Sequence, residues 1–255
     1  EISLGLVGSE MCIRDRYSED ILFPIADFYL KKERWNEAIE VYEEMETIGA
    51  LQGRGAEYYQ KLGYALQKNK KYAEAIDAYL KADTLKPDNI WNNRHLAICY
   101  RLNRNYQAAL SYYKKVEEAT PEDTNVIFHI GSCLAELGQY EEAANYFFKL
   151  DFIESNCIKA WRGIGWCSFI SRKYEQAMKY YEKIIEQKPL AIDYMNAGHV
   201  AWTMGDIQKA AALYGKSITA NGNRERFLEM FRKDKEALLK QGIQEEDIPL
   251  MLDLL

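Results

Sequence analysis

Cys99, Cys133 and Cys167 stand 34 residues apart in a chain of 255. Three thiols at a fixed interval could ligate a metal or form disulfides, so they are the first candidates for chemistry. Zinc sites built on cysteine draw on closely spaced pairs such as C-x-x-C, and the chain has none. Acid–base work at neutral pH would fall to His95, His129 and His199, the three histidines present. None belongs to an H-E-x-x-H pair, and no G-x-x-x-x-G-K-S/T, G-x-S-x-G or EF-hand loop occurs. Gly163-Ile164-Gly165 is half of a dinucleotide fingerprint without the preceding strand that such a fold needs. Glu141-Glu142 and Glu245-Glu246 read as solvated faces rather than acid–base pairs. The expectation is a protein that is not an enzyme and uses neither a metal nor a cofactor.

The interval of the cysteines is the interval of the whole chain. An aromatic followed three residues later by alanine recurs at Trp35/Ala38, Tyr72/Ala75, Tyr106/Ala109, Tyr140/Ala143 and Tyr174/Ala177, with Ile207/Ala210 as a weaker sixth copy. Twelve residues before each alanine stands a small residue: Ala26, Gly63, Ala97, Gly131, Gly165 or Gly198. Four residues after it stands Tyr42, Tyr79, Tyr113, Phe147, Tyr181 or Tyr214, and Pro87, Pro121 and Pro189 fall twelve after it. A fixed period of this length is the mark of a repeat array. The pattern resembles the tetratricopeptide repeat over about residues 19 to 222. That resemblance implies an all-α solenoid of about six helix-turn-helix repeats in a right-handed superhelix, with copies near 19–52, 56–89, 90–123, 124–157, 158–190 and 191–222.

The residues support two helices per copy on their own account. Leu96, Ala97 and Tyr100 fall at i, i+1 and i+4, and Ala109, Tyr113 and Val116 at i, i+4 and i+7, which are helical spacings. A small residue on the first helix facing the alanine of the second would let the backbones approach. Proline lacks an N–H and stops the second helix. Gly138, Gly205 and the pair Asn103/Asn105 are expected to occupy the turns, where positive φ is tolerated. In this register the three cysteines share one first-helix position, filled elsewhere by Ala65 and Val200, so they read as small core residues.

The ends depart from the period. Residues 6–16 resemble the translation of a sequencing-library adapter, so residues 1–16, with Cys12, are expected to be an artefactual leader and the natural N-terminus to be missing. Gly49, Gly53 and Gly55 mark a longer connection between the first two copies. After Gly222, residues 223–255 read as capping helices, one from Arg224 to Lys240 and a short one with Asp247 as N-cap. The tail Gly242-Ile243 with Asp247-Ile248-Pro249-Leu250 is similar to the ends of long bacterial proteins of the same repeat family, which would make this chain the C-terminal part of one.

Composition excludes several partners. The net charge is −6 from 33 basic and 39 acidic side chains, without a polybasic run, which argues against nucleic acid. No stretch of about 18 apolar residues is present to span a membrane. Unpaired buried thiols suit a reducing compartment, so the cytoplasm is expected.

The family resemblance places a binding groove on the first helices, chiefly at the residues 6 and 3 before the small residue and 1, 4 and 5 after it. Carried onto this sequence, it offers Trp91, Arg94 and Arg101 in the third copy, Phe128 in the fourth, Lys159, Arg162, Trp166 and Phe169 in the fifth, and His199 and Trp202 in the sixth. Copies three to six would then present four basic side chains against one acidic, Glu136. The family's carboxylate clamp for chaperone tails is not expected, because its asparagine sites carry Ile98 and His129 and its arginine site Gly163. The implied function is a non-catalytic protein-interaction scaffold whose groove binds a peptide or helix carrying acidic and apolar side chains. The alternative is a regulatory or substrate-selecting arm of a larger protein whose N-terminal effector domain is missing.

Overall fold

The computed structural model describes residues 19–47 and 54–255. The adapter-like segment, Cys12, Gly49 and Gly53 lie outside those residues. All fourteen described elements are helices, and no strand occurs among the described residues. One compact unit, ending at Thr120, holds α1 (Glu19–Lys31), α2 (Trp35–Thr47), α3 (Gly55–Lys68), α4 (Tyr72–Leu85), α5 (Ile90–Leu102) and α6 (Tyr106–Ala119). A second, from Pro121, holds α7 (Thr124–Glu136), α8 (Tyr140–Ile153), α9 (Ile158–Ile170), α10 (Tyr174–Ile185), α11 (Ala191–Thr203) and α12 (Ile207–Asn221), then α13 (Arg224–Lys240) and α14 (Asp247–Asp253). Within each unit the helices pack as consecutive pairs, and the second helix of one pair packs on the first of the next.

The periodic residues are the seams of these pairs. All six alanines are fully buried, and the aromatics four residues on are at most 3% exposed. The glycines among the small residues make room for that aromatic. A Cβ added to Gly63, Gly131, Gly165 or Gly198 would lie 2.5–2.9 Å from the ring of Tyr79, Phe147, Tyr181 or Tyr214. The cysteines of the 34-residue interval are buried, as the register requires. Pairs are also tied to one another by polar bonds: the Tyr58 hydroxyl donates to the Tyr42 carbonyl at 2.7 Å, and Asn92 Nδ2 to the Tyr79 carbonyl at 3.0 Å.

The turn inside each pair has one geometry. The seventh residue after the small residue takes positive φ in all six: Glu33 57°, Lys70 63°, Arg104 61°, Gly138 77°, Arg172 60° and Gly205 86°. In the third pair this is Arg104, not either asparagine. Asn103 and Asn105 flank it at φ −85° and −89°, and Asn105 Oδ1 instead caps α6, accepting from the Ala108 N–H at 3.2 Å. Between pairs, Lys86 and Thr120 have ψ of 85° and 72°, because the following proline excludes the helical region.

The C-terminal helices depart from the repeating pattern. Asp247 lies inside α14, with Glu246 at the cap and no side-chain cap bond, so the expected N-cap is displaced by one residue. Helix α13 packs against both α11 and α12, and its end reaches back to the turn after α9. There Arg172 Nη2 donates to the Lys240 carbonyl at 3.0 Å, Gln241 Nε2 to the Ile170 carbonyl at 3.2 Å, and the Tyr174 hydroxyl to Gln241 Oε1 at 3.0 Å.

Candidate functional site

The first helices of three successive pairs, α7, α9 and α11, wall a pocket of about 420 Å³ in the second unit. Phe128 and Trp166 are half-buried on its sides, and Gly163 lies in its floor against the Phe147 ring. A Cβ at Gly163 would stand 2.5 Å from that ring, so glycine here lets the ring sit against the helix. Lys159 lies on the rim, its Nζ 5.8 Å from the Phe128 ring centroid and 3.4 Å from the Glu154 carboxylate. Glu136 also lines the pocket.

Arg162 does not meet the pocket as a bare cation. Its Nε and Nη2 donate to the two carboxylate oxygens of Asp193, both at 2.7 Å. That carboxylate is fully buried and also accepts from the Leu190 N–H at 2.7 Å, capping α11. The paired carboxylate raises the guanidinium pKa further. The charged residues lining the pocket are therefore Lys159 and Arg162 against Glu136 and Asp193, two of each sign. The expected excess of positive charge is cancelled here. Asp193 lies outside the groove register, which is why the sequence does not assign it to the site; its one sequence signal, a place in the first turn of a helix, marks a cap.

Three expected groove residues are core. Phe169 is 1% exposed, Trp202 5% and His199 fully buried. For His199 and Trp202 the cover is α13, whose Phe231 ring lies 5.4 Å from His199 and 6.5 Å from Trp202 between centroids. His199 Nδ1 is 2.8 Å from the Tyr214 hydroxyl, and its Nε2 is 3.4 Å from Asp234 Oδ2, close in charge terms but outside hydrogen-bond alignment. Phe169 stacks on the same imidazole at 6.4 Å.

In the first unit, Trp91, Arg94 and Arg101 all belong to α5. Trp91 is 42% exposed and joins Tyr64 and His95, with ring centroids 6.2 and 4.0 Å away. Tyr64, one residue after Gly63 and so equivalent to Trp166 and His199, also meets Trp35 at 6.1 Å and carries Lys68 Nζ 5.2 Å over its face. Arg94 is half-buried, and Arg101 Nε donates to the Tyr113 hydroxyl at 3.4 Å. Burial, with the cations of Lys68 and Arg94 beside it, pushes the His95 pKa down to about 4. Neutral at pH 7, its Nδ1 lies 2.7 Å from Gln67 Oε1. Among the described residues no cluster of His, Cys, Asp and Glu could hold a metal, and no helix is long and apolar enough to cross a membrane.

Comparison with solved structures finds the same architecture. A tetratricopeptide repeat protein from Parabacteroides merdae matches 94% of this chain and 99% of its own, at 19% identity and a TM-score of 0.65. YrrB, described as a TPR protein with an unusual peptide-binding site, matches 74% of this chain and 96% of its own, at 20% identity and 0.59. MamA from Desulfovibrio magneticus RS-1 matches 66% and 93%, at 18% identity and 0.59. At these identities the likeness is one of fold. No curated protein sequence matches the chain. Family models described as tetratricopeptide repeat match residues 22–52, 56–89, 101–167, 158–189 and 194–224. With six helix pairs in that register, the chain belongs to the tetratricopeptide repeat family.

Proposed function

We propose that this protein is an interaction module whose second unit captures a partner segment in the Phe128–Trp166 pocket. Tetratricopeptide arrays are in general non-catalytic scaffolds for protein contacts, and they bind through surfaces that equivalent positions of stacked repeats build together. The observation that carries the reading is the pocket itself: about 420 Å³, walled by half-buried aromatics from successive repeats. An apolar side chain entering between the two rings would displace water from both faces. Tryptophan and arginine are also the residues that most often dominate binding energy at protein interfaces.

The polar rim sets the chemistry beside that anchor. Lys159 offers an ammonium at one edge, and Arg162, held by Asp193, presents its remaining N–H groups in a fixed orientation. A carboxylate next to the apolar anchor suits both, although Asp193 and Glu136 limit how much acidity the pocket favours. YrrB, which shares the fold and has a peptide-binding site of its own, supports the same class of ligand here. A phage-displayed peptide library selected on the full chain tests the proposal. Enrichment of an aromatic or leucine beside Asp or Glu is expected, with loss of about tenfold or more in affinity on Trp166→Ala and a smaller, salt-dependent loss on Lys159→Glu. Selected peptides that bind the Trp166→Ala protein as tightly as wild type would overturn it.

A further inference from the structure

Helix α13 occupies the place where a ligand would lie. The groove register of repeats five and six includes Phe169, Ile170, His199 and Trp202. Phe231 of α13 meets His199 and Trp202, Gln241 at its end bonds the Ile170 carbonyl, and Phe169 stacks on the covered imidazole. The contact strip has a defined chemistry. Phe227 and Phe231, one helical turn apart, pack on Tyr214 at 5.6 and 5.7 Å. Three residues beyond Phe231, Asp234 sets its carboxylate 3.4 Å from the buried imidazole of His199, and Leu238 completes the apolar face. Amphipathic helices dock in grooves through anchors at this i, i+4, i+7 spacing.

The strip is also narrow. Only Phe227, Phe231 and Leu238 of the seventeen residues of α13 are buried, against eight of the thirteen in α11 beneath it. One residue, Gly222 at φ 68°, joins α12 to the N-cap Asn223. A helix held by few buried side chains beside a one-glycine joint opens more readily than the array on which it rests.

We propose that the concave surface of repeats five and six is a helix-binding site, and that α13 is its intramolecular occupant, displaced by a partner helix of the same chemistry. That partner presents two aromatic side chains one turn apart, then a carboxylate three residues on, to Tyr214, Trp202 and His199. The Phe128–Trp166 pocket borders this site, Trp166 lying 5.6 Å from Phe169 between ring centroids, but Phe169, Ile170, His199 and Trp202 do not line it, so failure of this proposal leaves the pocket reading standing, and the reverse also holds.

A fluorescein-labelled peptide of residues 223–242 is the probe, and fluorescence anisotropy with the full chain is the readout. Phe231→Ala loosens the cis helix without touching the array. Gln241→Ala with Arg172→Ala releases its far end without opening a cavity. Both variants should bind the peptide at least tenfold more tightly than wild type, and a peptide carrying Phe231→Ala and Asp234→Lys should bind none of the three chains. Hydrogen exchange should be faster in α13 than in α11 of the wild-type protein. No binding by either loosened chain, equal binding by wild type and both variants, or protection of α13 equal to that of α11 would overturn the proposal. Concentration-dependent dimerisation of the loosened chains would overturn it in favour of a second copy of α13 as the occupant.

Discussion

Removing the Arg162 guanidinium tests whether the pocket carries a cation for ligands or a closed ion pair. In the folded chain Asp193 is fully buried and accepts three N–H bonds, two from Arg162 and one from Leu190, all at 2.7 Å. Arg162→Met keeps most of the side-chain volume but leaves the carboxylate with one donor. Breaking a buried pair from one side costs about 3–5 kcal/mol when both partners are buried. Arg162 is one-third exposed, so water reaches the vacated place and screens the charge, which brings the expectation to about 2–3 kcal/mol. Asp193→Asn keeps an acceptor for Leu190 and leaves an arginine that solvent can reach, so about 1–2 kcal/mol is expected. The double variant has no orphaned charge and should fall short of the sum by about 1–2 kcal/mol. Urea unfolding followed by far-ultraviolet circular dichroism gives all four corners of the cycle, provided the m-values agree. An Arg162→Met loss below about 0.5 kcal/mol, with the two single changes additive, would refute the reasoning and return Arg162 to the ligand as a bare cation.

Glycine positions should respond with opposite signs. Gly198→Ala drives a Cβ to 2.5 Å from Tyr214 and should cost about 1–3 kcal/mol, whereas helical Gly215, with open space around it, should gain about 0.5–1 kcal/mol as alanine. Melting temperatures that move the same way for both would contradict the packing register. Burial pushes the Cys99 and Cys167 thiols up to about 12, so in a mass-spectrometric assay with iodoacetamide at pH 8 neither should react until denaturant is added. His95, depressed to about 4 against about 6.5 unfolded, binds its proton more readily in the unfolded chain. Stability should therefore be full above about pH 6.5 and fall as pH drops through the window to about 4, by at most about 3 kcal/mol, and His95→Gln should flatten that slope. A histidine NMR titration with a midpoint near the unfolded value would contradict this.

The repeat register was readable because six copies vote on each position, and the votes concern packing. Ala38 and its five equivalents, and Tyr42 and its five, are buried as their period demands. Where the periodicity stops, so did the reading. His199 and Trp202 occupy groove positions by register, yet they are core because a helix outside the period lies on them. Asp193 reaches Arg162 from the next repeat, 31 residues away, at a position that the register does not place in the groove. At the turn the two asparagines stand where expected, but the backbone gives positive φ to Arg104 between them. Position in the period decided, and propensity followed.

That turn has a consequence for engineering. Glu33, Lys70 and Arg104 are exposed and held at φ 57°, 63° and 61°, where the equivalent positions of two other repeats use glycine. A left-handed conformation costs a residue with a Cβ about 1–2 kcal/mol, and glycine returns part of that through its looser unfolded chain. Substituting glycine at the three sites should leave a net gain of about 0.5–1 kcal/mol each. Natural tolerance of this strain means that the seams between helices hold the array with a margin, and thermostabilised versions can be reached by relieving loops while every core residue and both proposed binding surfaces stay untouched.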